Sequence, residues 1–345
     1  MNKTLKITQE KMFLIILILQ ISIFWPFHAE AKTKKNWLKD KEVNDFIELM
    51  NAKHKFPVKE LKNNFKNLKY QVSAYKLINP PKRSKQKKVK SWQNYKNRFV
   101  TKKTIENGRV FMIKHRVTLE KAAEEFGVPA KVIVGILGVE TRYGKITGNY
   151  KVIDTLATFA FEKFKRKKFF LKELEHLLLL ARENNIDLET LKGSFAGAMG
   201  IPQFMPSSWR KYAVDYDNDG KVNLFDSEAD AIGSIANYLS IHGWRPNEIS
   251  HAAVFFKISS NPSKFVANSL KAESNVKKLA EAGFIPKSVF LPPNLDASLI
   301  DLHEKDGSIK YWLATPNFFA VTKYNRSFMY AAAVLSLAES ISPRL

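Results

Sequence analysis

Glu140 stands in the run Gly138-Val139-Glu140-Thr141-Arg142-Tyr143-Gly144, which closes a stretch (Val132, Ile133, Val134, Ile136, Leu137, Val139) that is apolar on nearly every side of a helix. A carboxyl group carried by such a buried helix loses hydration, which disfavours its charged form and raises its pKa toward what a general acid needs near neutral pH. An ion pair with Arg142 or with a lysine is the other use for the same side chain, and the helix alone leaves both open. Glu124, Glu125, Glu173 and Glu175 fall on polar helix faces and are expected in solvent.

A second group of polar residues lies in Gly193-Ser194-Phe195-Ala196-Gly197-Ala198-Met199-Gly200-Ile201-Pro202-Gln203-Phe204-Met205-Pro206-Ser207-Ser208. Glycines and prolines at this density describe a tight loop able to bring backbone against a ligand, with Ser194 and Gln203 to hydrogen-bond it; a packed turn without a ligand has the same composition. The third constellation, Asp215-Tyr216-Asp217-Asn218-Asp219-Gly220-Lys221-Val222-Asn223-Leu224-Phe225-Asp226, follows the calcium-loop pattern of carboxylates at positions 1, 3 and 5 with glycine at 6. Asp215, Asp217 and Asp219 are ligand candidates, Lys221 offers its backbone carbonyl, and either Asp226 or Asp230 closes the set. Ca2+ in a structural role is the expected cofactor, and no organic cofactor is expected.

The elements that must position these groups are mostly helical. Val43, Phe46, Ile47 and Met50 recur at helix spacing, a second amphipathic stretch follows Pro57, and Asn79 to Lys90, with Pro80-Pro81 and many lysines, reads as a loop. Helix resumes near Trp92 and runs, with a turn at Asn107-Gly108, to Phe126, where Gly127 ends it; Pro129 opens the buried helix at an N1-like position and Gly144 stops it. Gly135 and Gly138 inside that helix imply close approach of a neighbouring helix or of substrate. One long helix is expected from Leu156 to Asn184 and another from Asp230 to His242. Ser298–Leu302, Ile309–Leu313 and Phe318–Val321 read as short strands with a turn at Asp306-Gly307, and a last helix covers Ser327 to Ser340.

With 345 residues, a formal charge of +23 and no cysteine, the chain can bury a substantial core but can form no disulfide, thiolate nucleophile or cysteine metal site. Lys3, Lys6 and Lys11, the apolar run Met12–Phe27 and Ala29-Glu30-Ala31 form a secretory leader pattern, cleaved after residue 31 or retained as an anchor. No cysteine follows the run, so a lipoprotein-type anchor is not expected. An exported basic chain meets anionic cell-wall polymer or membrane surface in place of nucleic acid.

Together the three segments resemble the soluble lytic murein transglycosylase B family, membrane-bound members included, from about Trp92 to the C-terminus. The resemblance implies a mainly α (α+β) fold: a lysozyme-like helical core, an additional helical domain and a small β-containing domain. On that reading 1–31 is the signal peptide, 32–110 an N-terminal helical region and 111–250 the catalytic core with its EF-hand-like loop; 251–322 is the β-containing insertion, and 323–345 a C-terminal helix packing back. The family's Gly-Val-Glu-Thr motif puts the acid/base on Glu140, its loop serine and glutamine on Ser194 and Gln203, and its saccharide-binding residues on Tyr95, Tyr238, Tyr324, Asn325 and Tyr330. Its paired arginines fall on Lys165 and Arg166 and a following tyrosine on Phe169, which keeps the charge but removes one fork-shaped donor and one hydroxyl.

Ordinary glycosidases use two carboxylates, and only one stands in a convincing place here. It suffices if Glu140 protonates the glycosidic oxygen and then deprotonates the C6 hydroxyl of the same sugar, an intramolecular nucleophile. The resemblance implies this outcome: cleavage of the β-1,4 bond between N-acetylmuramic acid and N-acetylglucosamine in peptidoglycan, leaving 1,6-anhydromuramic ends. A hydrolytic muramidase and an inactive peptidoglycan-binding protein are the alternatives. The expected setting is a periplasmic monomer acting on glycan strands, alone or within cell-wall synthesis or division assemblies.

Overall fold

The computed structural model describes residues 35–80, 91–256, 260–287 and 289–342. The expected leader and nearly all of the lysine-rich segment 79–90 lie outside the described residues. Among the described residues no helix is long and apolar enough to cross a membrane.

The fold is mainly α with a small antiparallel sheet. Helices α1 (Lys41–His54), α2 (Val58–Lys66) and α3 (Val72–Ile78) come first, then α4 (Trp92–Lys96), α5 (Lys102–Lys114), α6 (Arg116–Phe126) and α7 (Ala130–Thr141). Strand β1 (Tyr150–Lys151), α8 (Val152–Phe161), α9 (Lys167–Glu183), β2 (Lys192–Gly193), α10 (Pro206–Tyr212) and α11 (Glu228–Ile241) follow. Beyond them lie β3 (His251–Phe256), β4 (Ser274–Asn275), α12 (Val276–Glu281), β5 (Phe284–Pro286), β6 (Asp296–His303), β7 (Ile309–Ala314), α13 (Pro316–Tyr324) and α14 (Phe328–Ile341). The described residues form two compact units, one of 91–143 with 232–342 and one of 35–80 with 144–231.

In the first unit α7 buries every residue from Val132 to Thr141. Pro129 caps this helix from outside, at φ −58° and ψ 135°, and does not occupy its first turn. The chain leaves α7 through left-handed Arg142 (φ 51°) and Tyr143 (φ 63°), so the stop comes before Gly144, and the Tyr143 amide closes the end on the Leu137 carbonyl at 3.0 Å. The two glycines of α7 admit α14: a Cβ at Gly135 would lie 2.8 Å from the Val334 carbonyl oxygen, and one at Gly138 would lie 2.7 Å from Leu337 Cδ2. Gly135→Ala should therefore lower stability by about 1–3 kcal/mol despite alanine's better helix propensity, because a backbone carbonyl must move. Thermal denaturation measures this, and an unchanged or raised Tm would refute the close-packing account.

Asn107-Gly108 makes no turn. Helix α5 runs through both residues and breaks only at His115, and Gly108 serves instead as a contact point, where a Cβ would meet the Tyr143 hydroxyl at 2.5 Å. The sheet has the order β4-β6-β7-β3-β5, every pairing antiparallel, with Val254, Leu279, Phe284, Leu299 and Leu313 in its core. Hairpin β6–β7 turns at Asp306 and left-handed Gly307 as expected. Phe318–Val321, expected as strand, is helical in α13: Pro316 sits in the first turn, and a segment buried on all sides carries no period to separate strand from helix.

In the second unit the helix expected over 156–184 is two, α8 and α9, interrupted at 162–166 where Lys163, Lys165 and Arg166 bring like charges together. Glu173 on α9 is buried and not solvated: its carboxylate accepts the Ser207 amide at 3.0 Å and the Ser207 hydroxyl at 2.7 Å, tying α9 to the start of α10.

Candidate active site

Glu140 lies one residue before the end of α7 with 7% of its surface exposed. Its Oε1 accepts the Tyr330 hydroxyl at 2.6 Å. Tyr330 is in the first turn of α14, a helix capped by Ser327, whose hydroxyl accepts the Tyr330 amide at 3.3 Å. The α7–α14 contact made by the glycines thus brings acid and phenol together. Burial pushes the Glu140 pKa up to about 8, and the Tyr330 hydrogen bond, which favours the carboxylate, pulls the other way. Among the described residues neither Arg142 nor a lysine contributes, so the ion-pair alternative is not what they provide.

Further tyrosines of the first unit surround this pair. The Tyr324 ring lies parallel to Tyr330 at 6.5 Å and edge-on to Tyr238 at 4.9 Å. Tyr238 stacks on His242 at 3.9 Å and donates its hydroxyl to the Lys323 carbonyl at 2.7 Å. Tyr95, 7% exposed, packs against Phe99. Burial raises the pKa of Tyr95, Tyr324 and Tyr330, and the Glu140 charge adds to each. These phenols stay neutral and can donate hydrogen bonds. Asn325 ends α13 in extended conformation.

Ser194 and Gln203 belong to the second unit. There Ser194 Oγ accepts the amides of Ala196 (3.3 Å) and Ala198 (3.1 Å), which leaves its own proton to donate. Gln203, left-handed at φ 55°, donates its amide to the Thr147 and Gly200 carbonyls at 3.0 and 2.9 Å. The loop is crowded backbone against backbone: a Cβ at Gly193 would lie 2.2 Å from the Ala198 carbonyl oxygen, and one at Gly200 2.4 Å from that of Leu224. Lys165 and Arg166 sit in the connection before α9, with the Arg166 guanidinium 4.1 Å from the Phe169 ring centre.

In the acidic loop Asp215, Asp217 and Asp230 bring carboxylate oxygens within 4.8 Å of one another. Buried Asp230 accepts the amides of Tyr216 and Asn223, each at 2.7 Å. Asp215 accepts those of Asp219 (3.2 Å) and Gly220 (2.9 Å). Asp219 holds the Lys221 amide at 2.8 Å, and Asp226 faces the Asn223 side chain at 3.4 Å; both carboxylates lie outside the group of three. Hard oxygen donors held on a loop by their own backbone amides suit a hard cation such as Ca2+.

Residues 39–339 match the family described as Transglycosylase SLT domain. The chain belongs to this transglycosylase family. It is 37% identical to membrane-bound lytic murein transglycosylase B of Escherichia coli K12 over 92% of this chain and 87% of that protein. Among solved structures, the soluble lytic transglycosylase SltB1 of Pseudomonas aeruginosa shares 38% identity at TM-score 0.80, over 87% of this chain and 98% of that one. The E. coli lytic transglycosylase Slt35 in complex with calcium shares 36% identity at TM-score 0.79, over 92% and 98%. These neighbours fix the transglycosylase fold as lysozyme-like.

Two positioning residues, one in each unit, escaped the sequence reading. Tyr143 donates its hydroxyl to the Thr104 carbonyl at 2.8 Å and holds the end of α7, and Glu173 anchors the exit of the glycine-rich loop. Gly108 and Gly138, which flank the Tyr143 hydroxyl, were the available signal for the first. Glu173 carried none, since its helix face reads as polar.

Proposed function

We propose that this chain is a lytic transglycosylase that cleaves the β-1,4 bond between N-acetylmuramic acid and N-acetylglucosamine in peptidoglycan, forming 1,6-anhydromuramic acid ends. The observation that carries the reading is Glu140, a carboxyl protonated near neutral pH, held by a phenol and, among the described residues, by no counter-charge. Tyr330 occupies Oε1, so the acid proton rides on Oε2. That proton passes to the glycosidic oxygen as the bond to C1 breaks. The resulting carboxylate then takes the proton of the C6 hydroxyl of the same muramic acid residue while its oxygen bonds to C1. Water enters nowhere, and Glu140 ends as it began. Tyr95, Tyr238, Tyr324, Asn325, Ser194, Gln203, Lys165 and Arg166 are assigned to holding the strand, and 111–250 is read as the catalytic core.

The test is digestion of purified peptidoglycan followed by mass analysis of the muropeptides. Products one water lighter than hydrolysis products support the reading; reducing muramic ends would convert it to a muramidase, and intact glycan to a binding protein.

For Ca2+ the assigned holders are Asp215, Asp217 and Asp230, with Asp219, Asp226 and the Lys221 carbonyl completing the shell. The calcium complex of Slt35 supports this choice. The ion offsets carboxylate repulsion and needs no part in the chemistry. Ca2+ at about 100 times its Kd should add about 2.7 kcal/mol of stability, read as a rise in Tm that a chelator reverses; a Tm indifferent to both would remove the metal from this account. A periplasmic monomer acting on glycan strands, alone or with cell-wall synthesis or division assemblies and without nucleic acid, completes the reading.

A further inference from the structure

One cavity lies wholly within the second unit. It has a volume of about 870 Å³ and is walled by the segment before β1, the end of α9, β2, α10 and the acidic loop. Trp209 lines it. Its ring is 3% exposed and packs 5.3 Å from Phe225, another wall residue, and its Nε1–H has no acceptor among the described residues. A buried donor without a partner is costly, and a ligand acceptor that reached it through this wall would relieve that cost. Around it stand exposed Asn149, Asn185, Lys192 and Lys221, whose side chains form no hydrogen bond or ion pair among the described residues. Glu183 in the same wall is committed to Arg210 at 2.7 Å. Asp215 and Asp226 add carboxylate oxygens.

Amide, ammonium and carboxylate groups side by side over an aromatic pair suit a ligand whose groups both donate and accept, which is the character of sugar hydroxyls. The indole and ammonium donors suit an acetamido carbonyl. Net anionic ligands would meet the loop carboxylates. The volume falls in the range of small-molecule sites.

We infer that this cavity is a second saccharide-binding site, for a neutral segment of N-acetylated amino-sugar chain, whose wall the acidic loop completes. This rests on the glycan-cleaving function proposed above and gives the enzyme a second hold on the strand.

The experiment uses the full chain labelled with 15N at tryptophan. The Trp209 indole resonance is assigned by its loss in Trp209→Phe and followed during titration with the tetramer of N-acetylglucosamine and, separately, with a free stem peptide. A saturable downfield shift with the tetramer, weakened about tenfold in Lys192→Glu or Asn185→Asp as one hydrogen bond is lost, is the expected result. A resonance that does not move, that moves only with the peptide, or that moves equally in those variants overturns the site. Muropeptide masses separate the two ideas. Anhydro products with an unmoved Trp209 sink the second site alone, whereas a shifted Trp209 with no cleavage sinks the function.

Discussion

Glu140→Gln should reduce turnover of purified peptidoglycan by at least about 10²–10⁴-fold, the contribution ordinary for one general acid or base, while leaving the fold intact. Glutamine keeps the shape and still accepts the Tyr330 hydroxyl, but it neither gives nor takes a proton. The pH dependence separates this from a structural effect. In the wild type the proton-donating form is lost as pH rises through about 8, so kcat/KM should fall on that limb. Stability should follow the same group. The folded pKa is raised above the unfolded value, so the folded state holds its proton more tightly. That advantage is complete below the unfolded carboxyl range and is lost as pH rises through about 8, at roughly 1.4 kcal/mol per pH unit between the two values. Glu140→Gln should flatten the slope and be relatively more stable at neutral pH. Retained activity would move the acid elsewhere; a wild-type slope in the variant would assign the titration to another group.

Tyr330→Phe is the second large effect. A hydrogen bond to a charged group is worth roughly 1.5–3 kcal/mol, and this one favours the carboxylate. Its removal should push the Glu140 pKa further up by about one to two units and carry the alkaline limb of kcat/KM with it. Turnover at neutral pH should fall about tenfold or more, because the carboxylate needed for the second half of the reaction becomes harder to form and the acid is no longer held in one rotamer. A loss of turnover with an unmoved limb would make Tyr330 a substrate contact and nothing more.

Much of this was legible in the chain. Gly135 and Gly138 in an apolar helix announced a close neighbour, and Val334, Leu337 and Ala338 of α14 are that neighbour. The hairpin at Asp306-Gly307 and the acidic loop were equally plain, because their turns need particular residues at particular places. What failed was whatever depends on surroundings. Phe318–Val321 has strand-forming side chains, but burial on every side erased the period that would have identified a helix. Glu173 reads as surface until Ser207 is brought against it. The residues of Glu140 announced burial, but they left open whether a cation or a phenol would face it. The chain offered both Asp226 and Asp230 to close the acidic loop, and only the folded backbone shows that Asp230 turns inward beside Asp215 and Asp217.

Glu140 and the hydroxyl that holds it are separated by 190 residues of chain. During synthesis, α7 is finished long before α14 exists, and until α14 docks one face of α7 stands in water. A Glu140 so exposed titrates as an ordinary carboxyl and is already deprotonated at neutral pH. The proton that Glu140 holds in the folded chain therefore depends on a helix made long after its own.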